Sequence, residues 1–396
     1  MNTSIGELAE NGFLEFGDGY RTRRDQLSTP GYRILRVADV ADGRICMNSI
    51  DFVSKEFERV IGSKLSKQDD VLLTTKGTVG RVAVIPSDME TVVYSPQLCY
   101  FRVLNQSLIV PRFLAYWFKS DAFVEQAFRR ASNTDMAPYI NLRDISSLAI
   151  DLPDLNVQRA IAEVLGALDD KIAANEKLAA LTSEYLSAHF ALCAEGKPAS
   201  VLGSIADVNV HSVKPDPSTG AMLRYLDISS VGVGTYLFPE ESLWSEAPSR
   251  ARRVVRTGDT VWSTVRPNRR SHALVLDEVP LVGSTGLAVL TPNSGFVAGV
   301  YEATRTNSFL AYLETVAHGS AYPAVKAAKF LAAPVPDLGL DGWRTFEEFA
   351  LPMRELECSA LMENRKLAKT RDELLPLLMS GRLRVKDADS VVGEAV

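Results

Sequence analysis

Two carboxylates and a lysine are the residues of this chain best suited to catalysis. Asp154 follows Pro153, and Glu195 precedes Gly196 and Lys197. Magnesium-dependent nucleases bring two carboxylates and a lysine together on a sheet, where the carboxylates hold the metal ion. Here Glu195 falls at the tail of a predicted helix, beside a linker of Gly, Lys, Pro and Ala. We therefore interpret this pattern as a helix end and a hinge.

Other catalytic signatures are absent from the sequence. It contains no G-x-x-x-x-G-K-[ST] phosphate loop, no H-E-x-x-H motif and no Asn/Asp-Pro-Pro-aromatic loop of amino-methyltransferases. The four histidines do not cluster, and the four cysteines lie far apart without a C-x-x-C pair, which argues against a zinc site and a disulfide framework. We expect that the chain by itself is not an enzyme and binds no metal ion and no cofactor.

Basic side chains concentrate in four short segments, at residues 21–24, 76–81, 250–256 and 266–270. Glycines in the second segment allow close backbone approach, and arginine is the side chain best suited to phosphate and guanine. Each segment alone also fits a solvated turn. Taken together, they predict DNA contacts from Arg21, Arg23, Arg24, Lys76, Arg81, Arg252, Arg253, Arg266, Asn268, Arg269 and Arg270.

The net charge of −6 is compatible with DNA binding because the acidic residues concentrate elsewhere. Residues 151–195 contain 8 acidic and 3 basic side chains, and residues 336–396 contain 12 and 9. Both segments are predicted helices. The basic clusters therefore lie in the neutral to basic remainder of the chain.

The sequence also indicates the compartment. No basic stretch followed by an apolar run begins the chain, and the aromatic-apolar run at residues 113–118 is too short to span a bilayer. We expect a cytoplasmic protein with no membrane partner.

An internal repeat organises the chain. Asp70 and Asp259 begin similar patterns of an apolar run, a basic loop and a second apolar run. Their residue numbers differ by 189, a difference that we call the repeat offset. The same offset separates two further pairs with similar surroundings, Ser95 with Ser284 and Asn175 with Asn364. Because unrelated local patterns share one offset, we interpret the chain as two copies of one unit.

Each copy combines a strand-rich part with a long helix. β-Branched and aromatic runs broken by Gly, Pro, Asn and Asp predict the strands, and a heptad-like apolar seam predicts each helix. Such a seam fits a core-facing helix, but its presence at matched positions favours pairing of the two helices. The predicted pairing residues are Ile161, Leu165, Leu168, Ile172, Asn175, Met353, Leu356, Asn364, Leu367 and Leu374, with the two asparagines fixing the register.

The sequence resembles the specificity subunits of type I restriction-modification systems over nearly the whole chain. The resemblance rests on DVLLTTKGTVGR (70–81), LPDLNVQRAIAEVLGALDDKIAANEKL (152–178) and NRKLAKTRDELLPLLMSGRLRV (364–385). Copy two departs from the pattern, since STVRPNRRS lacks the glycines of KGTVGR and DGWRTFEEFA replaces the glutamine-containing helix start.

The resemblance implies an α+β fold, with two tandem-repeated α/β target-recognition domains joined by two long helices that pair as an antiparallel coiled coil. The expected boundaries are 1–155 and 196–338 for the recognition domains, 156–195 and 339–385 for the helices, and 386–396 for a flexible tail. By implication each domain reads one half of a bipartite, asymmetric DNA target, and the helices set the half-site spacing.

The same resemblance implies the partners. They are double-stranded DNA, two modification (methyltransferase) subunits docked on the helices, and restriction subunits that are ATP-dependent nucleases and translocases. S-adenosylmethionine, ATP and magnesium are expected on those partners. Two alternatives remain open: the specificity subunit of a type IIB-like system, and a coiled-coil scaffold whose heads bind protein.

We predict that the purified chain neither methylates nor cleaves duplex DNA when S-adenosylmethionine, magnesium and ATP are supplied, because every required motif is missing. Radiolabelled methyl transfer and gel analysis of plasmid DNA measure the two activities. Methyl transfer by the rigorously pure chain would contradict the prediction.

Overall fold

The computed structural model describes residues 1–130, 139–214, 220–277, 280–293, 295–319 and 323–388. The chain divides into two compact units. Unit 1 comprises Met1–Ala173 and Glu363–Val396, and unit 2 comprises Ala174–Met362. Two long helices each contribute one part to unit 1 and the other part to unit 2.

Unit 1 is built from short strands and from helices. Its strands are β1 (Asn2–Ser4), β2 (Leu14–Asp18), β3 (Leu27–Leu35), β4 (Val40–Ala41), β5 (Arg44–Ile45), β6 (Phe52–Val53), β7 (Val71–Thr74), β8 (Val82–Val84), β9 (Val92–Tyr94), β10 (Leu98–Val103) and β11 (Ala149–Asp151). Its helices are α1 (Ile5–Glu10), α2 (Glu58–Ile61), α3 (Pro111–Trp117), α4 (Asp121–Arg130), α5 (Leu142–Ser146) and the first part of α6 (Leu155–Ala194).

The main sheet of unit 1 has the strand order β2-β10-β7-β8, with all neighbours antiparallel. Side chains of β7 point alternately to the two faces of the sheet, and both faces are buried. Val71 and Leu73 join the core that contains Phe113 of α3, whereas Leu72 joins a second core around Tyr94. The sheet therefore lies between a helical layer and a smaller sheet of order β6-β3-β9. Helix α2 packs against this smaller sheet.

Unit 2 repeats this plan. Its strands are β12 (Ala199–Val201), β13 (Ala206–Val208), β14 (Met222–Leu226), β15 (Glu241–Leu243), β16 (Ala251–Val255), β17 (Thr260–Ser263), β18 (His272–Leu274), β19 (Leu281–Ser284), β20 (Leu287–Pro292) and β21 (Pro334–Pro336). Its helices are α7 (Val297–Ala303), α8 (Asn307–Val316), α9 (Ala327–Phe330) and a large part of α10 (Gly339–Met379), together with the second part of α6.

The strand pairing shows that the two units are copies of one fold. The main sheet of unit 2 has the order β13-β20-β17-β18. Val71 lies opposite Phe101 in unit 1 and Thr260 lies opposite Leu290 in unit 2. Each residue number in the second pair exceeds its counterpart in the first pair by the repeat offset. The internal repeat inferred from the sequence is thus a repeat of sheet register.

The long helices pair in antiparallel orientation within each unit. In unit 1, Asp169 of α6 forms an ion pair with Arg371 of α10 at 2.8 Å, and the Asn364 amide donates to the Ile172 carbonyl at 3.1 Å. As the residue number rises along α6, the number of its partner on α10 falls. Unit 2 continues the trend.

In unit 2 the Asn175 side-chain amide donates to the Ala360 carbonyl at 3.3 Å, and the Phe190 ring meets Phe346 at 5.1 Å between centroids. The two asparagines are therefore reciprocal: each satisfies a carbonyl of the opposite helix. Several of the pairing residues expected from the sequence are buried: Ile161, Leu165, Leu168, Asn175, Leu367 and Leu374.

The predicted seam of α10 needs a correction between Phe346 and Ala360. Leu356, placed in the seam by its apolar character, is 55% exposed, and Met353 is only partly buried. Arg354 is buried instead, at 3% exposure. The sequence pattern failed here because a charged residue occupies the inward position.

A buried ionic cluster in unit 2 explains this inversion. The Arg354 guanidinium contacts both Glu302 of α7 and Glu357 of α10, and Glu302 also accepts from Ser187 of α6 and Arg305. The cluster thus joins α6, α7 and α10. Charges become tolerable in a core when each has a close partner of opposite sign.

Unit 1 has apolar side chains at the positions equivalent to this cluster. The repeat offset relates Glu302, Arg354 and Glu357 to the following residues of unit 1: Phe113, Leu165 and Leu168. All three of the latter are buried in one core. One fold therefore accepts either an apolar or an ionic filling at the same place.

Repeat-equivalent side chains fasten the two long helices to neighbouring backbone amides, in the first turn of α6 and eight residues after the first residue of α10. In unit 1 the buried Gln158 side chain accepts from the Val110 amide at 3.1 Å. In unit 2 the equivalent residue, Glu347, accepts from the amides of Ala298 and Gly299 at 3.0 Å. Burial raises the pKa of Glu347, while the amides at the start of α7 oppose that rise. The departure from a glutamine-containing start is thus compensated locally.

The C-terminal segment begins with helical backbone at residues 385–388, and Ala388 is buried in unit 1. Most of the expected flexible tail, residues 389–396, lies outside the described residues. In the described parts of the chain, no helix is both long and apolar enough to cross a membrane.

We predict that Arg354→Leu lowers the free energy of unfolding by about 3–5 kcal/mol, because the guanidinium that contacts both Glu302 and Glu357 is lost, whereas Arg305 pairs with Glu302. The triple variant Glu302→Phe, Arg354→Leu and Glu357→Leu, patterned on unit 1, is expected within about 1 kcal/mol of the parent or above it. Urea denaturation followed by circular dichroism measures both. Equal destabilisation of the single and triple variants would show that the two fillings are not interchangeable.

Candidate nucleic-acid interface

In unit 1 the main sheet brings the predicted basic segments to one edge. Asp18, at the end of β2, pairs with Cys99, which in turn pairs with Leu73 near the end of β7, and Leu73 pairs with Val82 at the start of β8. The segment after β2 and the loop from β7 to β8 therefore leave the sheet on the same side. We call this side the loop edge of unit 1.

The loop between β7 and β8 is held by its own backbone. Thr74 accepts from the Gly80 amide through its carbonyl at 3.1 Å and from the Arg81 amide through its hydroxyl at 3.0 Å. Gly77 and Gly80 adopt positive φ values of 81° and 100°, which glycine supports without a Cβ clash. The Lys76 side chain is exposed, whereas Arg81 is half-buried.

The segment after β2 is anchored before it turns outward. The Gly19 amide donates to the Leu98 carbonyl, and a Cβ on Gly19 would lie 2.2 Å from the carbonyl oxygens of Tyr94 and Ser95. Only glycine fits there. Beyond it, the buried Gln26 side chain accepts from the Arg23 amide at 2.9 Å, which leaves Arg21, Arg23 and Arg24 exposed.

Lys76 and Lys64 act electrostatically on Asp18 at this edge. Burial raises the pKa of the Asp18 carboxyl, and the two ammonium groups oppose the rise. Lys64 also donates to the Gly19 carbonyl at 3.3 Å. The edge therefore combines exposed cations with a partly buried carboxylate.

In unit 2 the corresponding loop, residues 264–271, leaves the equivalent side of the main sheet, which we call the loop edge of unit 2. Contacts from residues outside the loop support it. The Arg266 amide donates to the Pro323 carbonyl at 2.7 Å, and the Arg270 guanidinium donates to the Asn307 side-chain oxygen at 2.9 Å. The His272 ring hydrogen-bonds the Arg270 carbonyl through Nδ1 at 2.6 Å. Asn268, Arg269 and Arg270 are exposed, and Arg266 is half-buried.

The remaining predicted arginines lie on β16 and differ in exposure and contacts. Arg252 and Arg253 are half-buried, and Arg252 Nε donates to the Ser249 carbonyl at 2.9 Å. Arg250, in the same basic segment, is engaged with Asp227 at 2.8 Å and with the Tyr225 hydroxyl. The Thr285 amide donates to the Arg250 carbonyl, and the Gly286 carbonyl accepts from Thr264. The start of β16 therefore meets the loop edge of unit 2.

Sequence reasoning missed the side chains that hold these loops. Gln26, Asn307 and His272 orient the basic segments, but none lies in a basic cluster or a recognised motif. Asn307 contacts Arg270 across 37 positions of the sequence, whereas Gln26 and His272 contact Arg23 and Arg270 close by in the sequence. The only available signal was the positive charge itself.

The residues of the nuclease-like pattern do not come together in the structure. Asp154 precedes α6 and Glu195 follows its last residue, so 40 helical residues separate the two carboxylates. Within the ranges that the structure covers, no group of three His, Cys, Asp or Glu side chains could hold a metal ion. Exposed cations on preset loops instead suit an extended polyanion.

Comparison with known proteins gives a family match for residues 4–182. Residues 4–182 match the model of the type I restriction modification DNA specificity domain. The chain is 28% identical over 147 residues to the type I restriction enzyme EcoBI specificity subunit of Escherichia coli, covering 36% of this chain and 30% of that protein.

A second relative is the type I restriction enzyme MjaVIII specificity subunit of Methanocaldococcus jannaschii, 23% identical over 189 residues. That match covers 44% of this chain and 43% of that protein. The matched part of the chain thus spans less than half the length of either curated relative.

Both units share their fold with a solved protein. The crystal structure of a type I restriction-modification system S subunit from M. genitalium matches with a TM-score of 0.59 at 16% identity, over 96% of this chain and 95% of that one. The predicted fold class is therefore confirmed. The match of residues 4–182 to the type I restriction modification DNA specificity domain, together with the curated relatives, confirms the resemblance drawn from the sequence.

Proposed function

We propose that this chain, a relative of type I restriction-modification specificity subunits, is the non-catalytic DNA-binding subunit of a type I restriction-modification complex. Each unit reads one half of a bipartite DNA target. The observation that carries this proposal is the loop edge, which is built twice on one sheet register with exposed cations in both copies.

The two half-sites differ in sequence under this proposal. The loop of unit 1 reads KGTVGR and that of unit 2 reads RPNRRS, and only unit 2 places several arginines in the loop. Different side chains on equal scaffolds offer different donors to base edges. The target is therefore asymmetric.

The long helices are proposed to set the half-site spacing and to dock two modification (methyltransferase) subunits. Helix α6 has 40 residues, about 60 Å at 1.5 Å per residue, against about 34 Å for one turn of B-DNA. Rigid helices of this length suit a spacer. Restriction subunits complete the assembly for cleavage, and S-adenosylmethionine, ATP and magnesium bind to the partner subunits.

We predict that Ala substitution of Lys76 and Arg81, or of Arg269 and Arg270, weakens DNA binding by the assembled complex. Each lost phosphate contact should flatten the plot of log affinity against log salt by about one unit. Fluorescence anisotropy at several salt concentrations measures the slope.

Matched controls lie outside the four basic segments. Arg129→Ala in unit 1 and Arg344→Ala in unit 2 remove exposed arginines that form only local helical ion pairs, and both should retain parental affinity. If the two loop variants bind like these controls, the contact surface lies elsewhere.

We predict that lengthening both helices by four residues lengthens only the unspecified spacer of the target. The insertion in α6 follows Asn175. Because Asn175 pairs with Ala360 in an antiparallel helix, the matching insertion in α10 follows Ser359. Four residues add about 6 Å, close to two base pairs, and nearly one full turn.

Mapping methylated sites made by the assembled complex measures the spacer. A two-residue insertion is the control, since it rotates the seam by about 200° and should prevent assembly. A folded four-residue variant that keeps the original spacing would show that the helices do not determine the half-site distance.

A further inference from the structure

The loop edge of unit 2 contains two arginines in left-handed backbone conformation. Arg266 has φ 52° and Arg270 has φ 53°. In the part of the chain that the structure covers, the other non-glycine residues with positive φ are Asp69 and Asn209. Aspartate and asparagine tolerate this region, whereas a long side chain with an ordinary Cβ does not favour it.

Unit 1 has glycine at both equivalent positions. Thr75 and Thr264 donate their amides to the equivalent carbonyls of Gln97 and Gly286, and Gly77 and Arg266 each follow two residues later. At the other end of the loop, Gly80 stands two residues before Val82 and Arg270 two residues before His272. The first residues of β8 and β18 are Val82 and His272. The loop of unit 2 is one residue longer, so the two loops share their anchor points and a positive φ at each end but not their whole shape. Unit 2 has arginine where unit 1 has glycine at both ends.

The contacts around Arg270 fix its position from two sides. Its carbonyl is held by His272, whose ring is 3% exposed. Since a carbonyl only accepts, His272 Nδ1 is the donor and carries the proton. Burial lowers the pKa of His272 to about 4, so the ring is neutral at pH 7. The Arg270 guanidinium, in turn, donates to Asn307.

We infer that Arg270 reads a base, with guanine as the best match, and that Asn307 and His272 position it. The inference rests on the proposed DNA-binding function. A phosphate contact needs no strained backbone, since the neighbouring exposed Arg269 could make one from an ordinary conformation. A two-bond contact to guanine O6 and N7 needs a guanidinium at a fixed place and angle.

The strained backbone of the exposed Arg270 also supports a base contact. Local backbone strain persists where the surrounding structure imposes it and where function uses the resulting geometry. Arg266 shares the strain, but its side chain is half-buried. Arg270 is exposed and oriented, which makes it the residue available to a base edge.

The first test measures stability in the full chain without DNA. Arg270→Gly should raise the melting temperature by about 2–4 °C, because glycine accepts the left-handed backbone. Arg269→Gly, in the same loop without positive φ, should leave it unchanged or lower it. If Arg270→Gly lowers the melting temperature as much as Arg269→Gly does, the strain premise is overturned.

The second test measures base preference with the complex assembled on its methyltransferase subunits, by binding selection from randomised duplexes. Arg270→Lys keeps the charge but loses the planar fork. It should reduce the preference at one base pair of one half-site by about 10- to 100-fold and leave the other half-site intact. Asn307→Ala should weaken the same position, and Arg269→Lys should change no preference.

The outcomes separate this inference from the proposed function. If the parent complex selects a bipartite site and Arg270→Lys binds more weakly at every sequence with its preferences intact, Arg270 contacts phosphate and the inference is overturned. If the parent complex selects no site at all, the proposed function fails and the inference fails with it.

Discussion

Reciprocal hydrogen bonds between the two long helices are the constraint on which the rest of the structure depends. Asn175 donates to the Ala360 carbonyl and Asn364 to the Ile172 carbonyl. A polar side chain in an apolar seam is tolerated only where its partner is in reach, so one register and one antiparallel direction satisfy both. Each compact unit is completed by this pairing, because each contains one part of α6 and one part of α10.

The duplicated fold carries different interiors. Where unit 1 buries Phe113, Leu165 and Leu168, unit 2 buries the Glu302, Arg354 and Glu357 cluster. Apolar packing is insensitive to direction, whereas an ionic cluster needs each charge beside its opposite. The cluster therefore adds a second register constraint to the helices of unit 2, in addition to the asparagine.

At the loop edges, the two units share the backbone scaffold and differ in the side chains on it. Their sheet registers are shared, and the loops have diverged. Glycines adopt the positive φ at both ends of the unit 1 loop, whereas in the longer loop of unit 2 Arg266 and Arg270 adopt it, with contacts to Pro323 and His272. A rigid sheet that presents variable loops can thus change its ligand without changing its fold.

The sequence by itself determined the repeat, the two long helices and the seam of α6, because the faces of strands and helices are encoded by local periodicities. It also located the basic loops, since charge and glycine are visible without a fold. Only the tertiary structure decided the seam of α10, where Arg354 replaces Leu356 at the inward position, and the orientation of Arg270. In both cases the deciding partner is distant in the sequence: Glu302 makes the buried cation tolerable, and Asn307 directs the guanidinium. The environment of a charge is set by whatever the fold brings beside it, and no local pattern contains that information.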